Sequence, residues 1–342
     1  MIACAHDSSP RNIARAFRAQ EETWLGGWGK LRSSARGASR GSAAARDRFS
    51  LTWALCRDIG SRQRLLIARY FEIFHEKFTK ADLSDVVESA PTGPLAVPAL
   101  DTAELSLSLI VPTFNESENV RNLVAALTRL LDARLGADYE IIVVDDDSPD
   151  KTWQLAARLM PEYPRLRVVR RQNERGLSSA VIRGWQLARG SMLGVIDGDL
   201  QHPPELVLTL WDKLSEGADL AVASRNVKGG GVSDWSIRRR ILSRGAQVIG
   251  LTVLYSVVSR VSDPMSGYFM LRRSVIAGKS LSPVGYKILL EVLGRGAAER
   301  VTEAGYVFRE RAEGKTKITW LLYLHYLQHL LRLRADRRAG SK

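Results

Sequence analysis

The residues with the clearest potential for chemistry are acidic and follow a short apolar run. Asp197-Gly198-Asp199 comes directly after the apolar residues 192–196. Two carboxylates one residue apart at the end of a buried strand repel each other unless a cation lies between them. Mg²⁺ prefers oxygen ligands, typically one or two carboxylates together with substrate phosphates. We therefore predict that Asp197 and Asp199 bind a divalent metal ion, with Gln201 offering a carbonyl oxygen; the alternative is a turn with solvated acids.

Two further polar segments follow apolar runs in the same way. Residues 112–116 come after the run 107–111, and residues 145–150 come after the run 140–144. In an open α/β sheet, ligands bind beyond the carboxyl ends of the strands, so all three segments are predicted to line one site. Within the second segment we predict that Asp146 accepts hydrogen bonds from a nucleotide base or ribose; the alternative is a turn and helix cap.

Alternating apolar runs and helical patterns predict an α/β fold, a sheet with crossover helices. Order is expected to begin near Leu105. The first helix is expected to start at Asn115 or Ser117, with Glu116 and Glu118 in its first turn. The predicted strands are 107–111, 140–144, 167–169, 192–196 and 219–223, and the predicted helices are 117–132, 150–160, 177–189 and 203–215.

The net charge of +13 is concentrated at the two ends of the chain. Residues 1–80 carry a surplus of eight positive charges and residues 315–342 a surplus of six. Such ends suit either an anionic partner or a solubilising tail. Residues 1–100 are predicted to be a largely disordered extension, with a short helix at 60–80 and a linker at 88–104. The only cysteines, Cys4 and Cys56, exclude a disulfide framework and a cysteine-type zinc site.

Residues 318–342 are predicted to form an amphipathic interfacial helix with a basic tail. The composition fits a helix in the lipid headgroup layer, and the alternative is a helix packed on the catalytic domain or on a partner protein. No apolar run of 18 residues is present, so no membrane-spanning helix is predicted. The predicted apolar face consists of Trp320, Tyr323, Leu324, Leu327, Leu330 and Leu331.

Eight motifs together resemble the polyprenyl-phosphate (dolichyl-phosphate) mannose synthases of glycosyltransferase family 2. The resemblance runs from about residue 106 to 330, roughly two thirds of the chain. The Gly-rich segment with the Arg-rich stretch after it, and the Gly-Lys-Thr-Lys ending, are the most specific parts. The motifs are VPTFNE, VVDDDSPD, ERGLSSAV, DGDLQHPPE, SRNVKGGGVSDW, RRRILSRGA, SDPMSGYF and RAEGKTK.

The resemblance implies a GT-A fold, a single catalytic domain over residues 105–317, and a GDP-mannose site that requires Mg²⁺ or Mn²⁺. Asp199 and Arg225 would be the catalytic residues, and Asp197, Asp199 and Gln201 the metal ligands. Arg225, Arg239 and Ser243 would meet the acceptor phosphate. Donor binding would involve Pro112, Phe114, Glu116, Val144, Asp146, Asp197, Gly198, Arg311 and Lys317. The chain departs from the family at Asp147, where Gly or Asn is usual, and at Phe114, where Tyr is common.

The implied reaction is transfer of mannose from GDP-mannose to a dolichyl or polyprenyl monophosphate, with inversion. A phosphate monoester arrives largely ionised, so no dedicated catalytic base is expected. Peripheral attachment to the cytoplasmic face of a membrane is expected. A membrane-protein partner is a further expected possibility, and no nucleic-acid partner is expected. The alternatives are a UDP-glucose-dependent polyprenyl-phosphate glucosyltransferase, a basic nucleic-acid-binding protein, and a catalytically silent sugar-nucleotide binder.

Overall fold

An eight-stranded mixed sheet forms the centre of the unit that comprises residues 82–342. The computed structural model describes residues 83, 86–232, 249–308 and 320–339. The strand order is β1-β4-β3-β2-β5-β8-β6-β9, and β8 alone among the sheet's strands runs antiparallel to its neighbours, while a separate parallel pair joins β7 to β10. The strands are β1 Glu88–Ser89, β2 Leu105–Thr113, β3 Tyr139–Asp145, β4 Leu166–Arg170, β5 Gly190–Val195, β6 Leu220–Ser224, β7 Gly231–Val232, β8 Phe269–Arg272, β9 Val301–Gly305 and β10 Val307–Phe308.

Helices cover both faces of this sheet. Residues 249–258 are also helical, and a short 3₁₀ turn spans Arg273–Val275. The labelled helices are α1 Val120–Leu135, α2 Thr152–Leu159, α3 Leu177–Leu187, α4 Leu206–Ser215, α5 Ile288–Arg295 and α6 Trp320–Ala339. The sheet's central strands are mostly apolar and are buried along most of their length, as expected for parallel strands with helices on both sides.

Two hydrophobic cores result from the alternation of side chains along the strands. Leu109 and Val111 of β2 point into the core that contains α1, α2 and α4. Ile110 points into the opposite core, which contains α3, α5 and α6. Because successive strand residues face opposite sides, one apolar run supplies both layers.

The five predicted strands and the four predicted helices are confirmed, with their ends shifted. The predicted start of the first helix is wrong, because the helix begins at Val120 without a side-chain cap. The backbone amides of Glu116 and Ser117 instead donate hydrogen bonds to Thr152 Oγ1 and Asp150 Oδ2, each at 3.0 Å. This segment therefore forms a loop that is tied to the end of β3.

The predicted linker at 88–104 is also wrong in part. Glu88–Ser89 pairs with β4, and the side chain of Val97 is fully buried. Arg183 and Gln186 of α3 donate hydrogen bonds to backbone carbonyls of the proline-containing stretch between Ser89 and Val97. Proline-containing segments can lie along the edge of a sheet, because proline has no backbone N–H that would be left without an acceptor. Of the extension 1–100 that is predicted to be largely disordered, residues 86–100 are described and pack as stated above. The rest, including the predicted helix at 60–80, falls outside the described residues apart from residue 83.

The C-terminal segment is helical, but the predicted apolar face is not confirmed, because Leu330 is buried while Leu324 and Leu331 are exposed. The buried side chains of α6 are Tyr326, His329, Leu330 and Leu333, which recur at helical spacing. Leu324 and Leu331 are 49% and 51% exposed, on the other side of the helix. An amphipathic interfacial helix is therefore not confirmed. The buried side chains of α6 pack in the same hydrophobic core as α5, and they include a histidine. Across the part of the chain that the structure describes, no helix is long and apolar enough to cross a membrane.

Candidate active site

The three predicted motifs meet at one edge of the sheet. β2 lies between β3 and β5, and all three strands run in the same direction. Thr113 at the end of β2 pairs in register with Asp145 at the end of β3, and its hydroxyl donates to the Asp145 carboxylate at 2.8 Å. The residues that follow β2, β3 and β5 therefore leave the sheet side by side, as predicted.

Gly198 allows the acidic loop to lie directly against the end of β2. A β-carbon at this position would lie 3.0 Å from Thr113 Cγ2 and 3.2 Å from the Pro112 carbonyl oxygen. Both contacts are tighter than ordinary packing allows. A side chain at this position would therefore push against the end of β2, so the glycine lets the acidic loop lie close to it.

The Asp197 carboxylate lies between two groups that limit its orientation. His202 Nε2 lies 3.3 Å from Asp197 Oδ2. On another side the backbone of Gly267 is so close that a β-carbon there would lie 2.9 Å from Asp197 Cγ and 3.0 Å from Oδ1. Asp197 Oδ1 itself is buried and has no hydrogen-bond partner in the described part of the chain. A buried carboxylate oxygen in this state is strongly destabilised unless a donor or cation reaches it.

Asp199 supplies the second carboxylate, and the backbone N–H of Gln201 donates to its Oδ1 at 3.2 Å. Within the described ranges, no group of three or more His, Cys, Asp or Glu side chains is arranged to hold a metal ion. Asp197 and Asp199 thus offer a two-carboxylate site. Such a site fits a hard divalent ion that completes its shell with substrate phosphates and water.

Arg225 follows β6 and forms a buried ion pair with Asp263. Its Nε and Nη2 donate to the two carboxylate oxygens of Asp263 at 2.6 and 2.7 Å, and its backbone N–H adds a bond at 3.2 Å. Asp263 is 2% exposed. Burial alone would raise the pKa of Asp263, but the hydrogen bonds and charge of Arg225 outweigh it and hold that pKa below its usual value. The guanidinium is therefore fixed in place and always charged.

Lys287 is a second cation near this ion pair, half-buried, which sequence reasoning missed. Its Nζ donates to the Met265 carbonyl at 2.9 Å and lies 4.2 Å from the centre of the Tyr286 ring. Burial and the nearby charge of Arg225 lower the pKa of Lys287 to about 8, although Asp197 and Asp263 oppose the shift. The available signal was a lone lysine immediately before the apolar start of α5.

The glycine-rich segment 229–231 forms a tight turn beside Arg225. Gly229 has a φ of 81°, which favours glycine, and the Gly230 amide donates to the Val227 carbonyl at 2.8 Å. A β-carbon on Gly230 would lie 2.8 Å from the Arg225 carbonyl oxygen. The turn therefore packs on the backbone of the residue that holds Asp263.

The model of the glycosyl transferase family 2 domain matches residues 108–277 of this chain. A dolichol-phosphate mannosyltransferase of Mycosarcoma maydis is 36% identical over 238 residues, which cover 67% of this chain and 79% of that protein. The chain belongs to glycosyltransferase family 2.

Two other relatives of this family 2 glycosyltransferase carry the same name. The dolichol-phosphate mannosyltransferase of Pyrococcus furiosus is 44% identical over 229 residues, or 67% of this chain. The match spans 64% of that archaeal protein's length, slightly under two thirds. The Saccharomyces cerevisiae protein is 33% identical and is matched over 87% of its length and 67% of this chain.

Solved structures support the GT-A fold predicted for this family 2 glycosyltransferase. Glucosyl-3-phosphoglycerate synthase from Mycobacterium tuberculosis, solved with Mn²⁺, UDP and glucosyl-3-phosphoglycerate, superposes with a TM-score of 0.53 at 18% identity, covering 73% of this chain and 88% of that one. Mannosyl-3-phosphoglycerate synthase from Rubrobacter xylanophilus gives a TM-score of 0.51 at 20% identity, covering 68% and 76%. At these identities the likeness establishes the fold alone.

The departure of this family 2 glycosyltransferase at Asp147 has a backbone explanation. Asp147 has a φ of 52°, in the left-handed region that glycine, asparagine and aspartate tolerate best. Its carboxylate pairs with Arg170 at 2.6 Å. The extra acid is therefore held by an arginine of β4 and does not require a changed ribose pocket.

The predicted donor-binding residues that the structure describes are near one another but differ in what they expose. Val144 is fully buried in a hydrophobic core and has no exposed surface. Asp146 accepts hydrogen bonds from Arg171 Nε at 2.6 Å and from the Gly176 amide at 2.7 Å. The ring of Phe114 lies 5.6 Å from the Arg175 guanidinium. Binding of a nucleotide by these residues stays a prediction.

Two other predicted donor-binding residues border the acidic loop. Glu116 is half-buried and accepts a hydrogen bond from Asn119 Nδ2 at 2.8 Å, while Pro112 is buried beside Gly198. Arg239, Ser243, Arg311 and Lys317 lie outside the described residues, so their roles also stay predictions.

The SDPMSGYF segment, residues 262–269, contributes three contacts around the candidate site. Asp263 orients Arg225, Met265 receives Lys287, and Gly267 borders the Asp197 carboxylate. All three contacts depend on β8, which inserts antiparallel between β5 and β6. The segment is therefore part of the site.

Replacing Lys287 with methionine is expected to lower kcat/KM about 100-fold, because a preorganised cation beside the leaving group would be lost. The Lys287→Arg variant keeps the charge and is the matched control. In the wild type, kcat/KM is expected to fall as pH rises through about 8, where Lys287 loses its proton. The Arg variant should retain its rate across that range. Equal pH profiles for the wild type and the Arg variant would contradict this role.

Proposed function

We propose that this chain transfers mannose from GDP-mannose to a dolichyl or polyprenyl monophosphate, with a divalent metal ion, Mg²⁺ or Mn²⁺, at Asp197 and Asp199. The proposal rests on one observation: the two carboxylates and the buried Arg225–Asp263 ion pair lie at the same carboxyl edge of the sheet. The names of the three relatives support the sugar and the acceptor.

The reaction requires one bond to form and one to break at the anomeric carbon. An oxygen of the acceptor phosphate attacks this carbon while its bond to the donor diphosphate breaks, so that GDP leaves and the configuration inverts. A bound divalent ion would supply charge stabilisation to the departing diphosphate. Arg225, held rigidly by Asp263, would bring a fixed guanidinium to the phosphates. Since the acceptor is already an anion, no residue is needed to remove a proton.

The decisive assay uses labelled GDP-mannose, a polyprenyl phosphate and Mg²⁺, followed by extraction into organic solvent. Wild type should produce labelled lipid, whereas Asp197→Ala and Arg225→Ala should not. The matched control is Asp212→Ala. This change removes the α4 carboxylate that forms an exposed ion pair with Arg134 of α1, and the variant should keep full activity. Leaving out Mg²⁺ and adding a chelator should abolish formation of the labelled lipid.

Other outcomes of this assay separate the competing functions. Labelled lipid from UDP-glucose but not from GDP-mannose would replace the proposed donor. Donor binding with no lipid product from either nucleotide sugar would indicate a silent binder. In that case the Asp199→Ala variant should also leave the biological activity unchanged.

We also propose peripheral contact with the cytoplasmic face of a membrane through the outer side of α6, with a membrane-protein partner as a further candidate. Leu324 and Leu331 are half-exposed there, and the neighbouring Arg332 and Arg338 are exposed as well. Exposed leucines beside arginines suit a surface of anionic lipid.

Vesicle flotation tests this contact. Wild type should float with anionic vesicles, and the double variant Leu324→Ser/Leu331→Ser should lose most of this binding. Val86→Ser changes an apolar residue that is 48% exposed elsewhere in the chain and serves as control. Equal flotation of wild type and the double variant, or retention on DNA in place of vesicles, would exclude this surface.

A further inference from the structure

His202 is buried behind the acidic loop, and its surroundings are unusual for a histidine. It is 3% exposed. Its ring centre lies 5.5 Å from that of Tyr268, 5.2 Å from that of Tyr306 and 5.3 Å from that of Phe308. Aromatic contacts of this kind restrict the ring to a single orientation.

The orientation places one ring nitrogen against Asp197. Nε2 lies 3.3 Å from Asp197 Oδ2, while Nδ1 is buried without a hydrogen-bond partner in the described part of the chain. The contact is favourable when Nε2 carries a hydrogen, because a lone pair would repel the carboxylate. Of the two ring nitrogens, Nε2 is therefore the one that lies against a polar group of the described residues, the carboxylate of Asp197.

The two oxygens of Asp197 consequently differ. Oδ2 faces His202, whereas Oδ1 is the buried oxygen without a partner. The backbone of Gly267 prevents the carboxylate from moving away on that side. The carboxylate is therefore restrained on its Oδ2 side, and Oδ1 is left without a hydrogen-bond partner among the described residues.

We propose that His202 is a positioning residue, which holds Asp197 so that Oδ1 is presented to a divalent cation. Groups behind metal ligands commonly orient them in this way, and their loss lowers metal affinity about 10- to 100-fold. The inference rests on the proposed metal-dependent function. It concerns the binding of the ion, however, and can be measured without sugar transfer.

The test measures Mn²⁺ affinity by electron paramagnetic resonance, with GDP present, for three variants. His202→Phe keeps an aromatic ring within the cage but has no N–H group, and its Mn²⁺ affinity should fall about 10- to 100-fold. His202→Gln and His202→Asn each carry an amide N–H, and at least one should recover part of this loss. Melting temperatures and GDP affinity without metal should stay close to wild type in the Phe variant, which separates positioning from folding.

Unchanged Mn²⁺ affinity in a folded His202→Phe protein would overturn the inference. So would a loss that all three variants share in proportion to a lowered melting temperature. If wild type binds Mn²⁺ in a His202-dependent manner but forms no mannosyl lipid, the inference holds and the proposed reaction fails. The two failures are thus distinguishable.

Discussion

Gly267→Ala is expected to lower kcat/KM for mannosyl transfer about 100-fold, because displacing a reacting group by about 1 Å has effects of this size. A β-carbon at this position would lie 2.9 Å from Asp197 Cγ and 3.0 Å from Oδ1. The carboxylate would have to rotate away from both His202 and the predicted metal position. Steady-state kinetics with varied Mn²⁺ should show the loss as a higher metal requirement.

The fold of this variant should be retained, because the displaced group is a side chain that is 27% exposed and able to turn toward solvent. Far-ultraviolet circular dichroism and the melting temperature provide the control. Wild-type kinetics in a folded Gly267→Ala protein would show that Asp197 does not need its observed orientation. The proposed metal site would then be incorrect.

Asp263→Ala is expected to reduce the free energy of unfolding by about 3–5 kcal/mol, the usual cost of leaving one partner of a buried ion pair without the other. Arg225 and Asp263 are 13% and 2% exposed, so solvent can compensate little. Transfer should also fall sharply, since the guanidinium would lose the carboxylate that orients it. Urea unfolding followed by fluorescence measures the first effect.

The matched control for this variant is Asp212→Ala. Asp212 pairs with Arg134 at 2.7 Å, but the two side chains are 47% and 53% exposed. Exposed pairs contribute about 0–1 kcal/mol, so this change should be nearly neutral. Equal losses in the two variants would mean that burial does not strengthen the Arg225–Asp263 pair.

The pH dependence of stability gives an independent check on Asp263. Because its pKa is lowered in the folded protein, its contribution is present above the unfolded value of about 3.9 and is lost as pH falls through the folded value. The unfolding free energies of wild type and Asp263→Ala should therefore converge below about pH 4. A constant difference down to pH 2 would contradict this assignment.

The parts of the fold that could be predicted are those with a local signal. The strands from β2 to β6 are apolar runs that end in polar motifs, so their positions and the shared edge follow from the sequence. The predicted start of α1 failed because Asp150 and Thr152 bind the amides of Glu116 and Ser117. Such long-range hydrogen bonds leave no trace in local spacing.

The site residues that sequence reasoning missed are brought in by β8. Gly267 is 70 positions after Asp197 in the chain, yet the antiparallel pairing of β5 with β8 places them in contact. A glycine that makes room for a carboxylate resembles any turn glycine in a sequence. Likewise, Lys287 is recognisable only when its amine is seen beside Met265.

The buried face of α6 does not follow from the spacing of apolar residues alone, because it includes a histidine. His329 is fully buried and its Nε2 lies 2.7 Å from Glu291 Oε2, inside the contact between α6 and α5. Glu291 also accepts a bond from Arg295 at 2.7 Å, and Arg295 pairs with Asp336 of α6. A buried charged network of this kind reverses the expected side of a helix.

Removing α6 would therefore damage the enzyme itself. A chain shortened to residue 319 would uncover Leu290 and Leu293 of α5, which share one hydrophobic core with Leu330 and Leu333. It would also leave the carboxylate of Glu291 without its histidine. Attempts to make a more tractable protein by trimming this end should yield aggregation, whereas polar replacements at Leu324 and Leu331 would leave the packing intact.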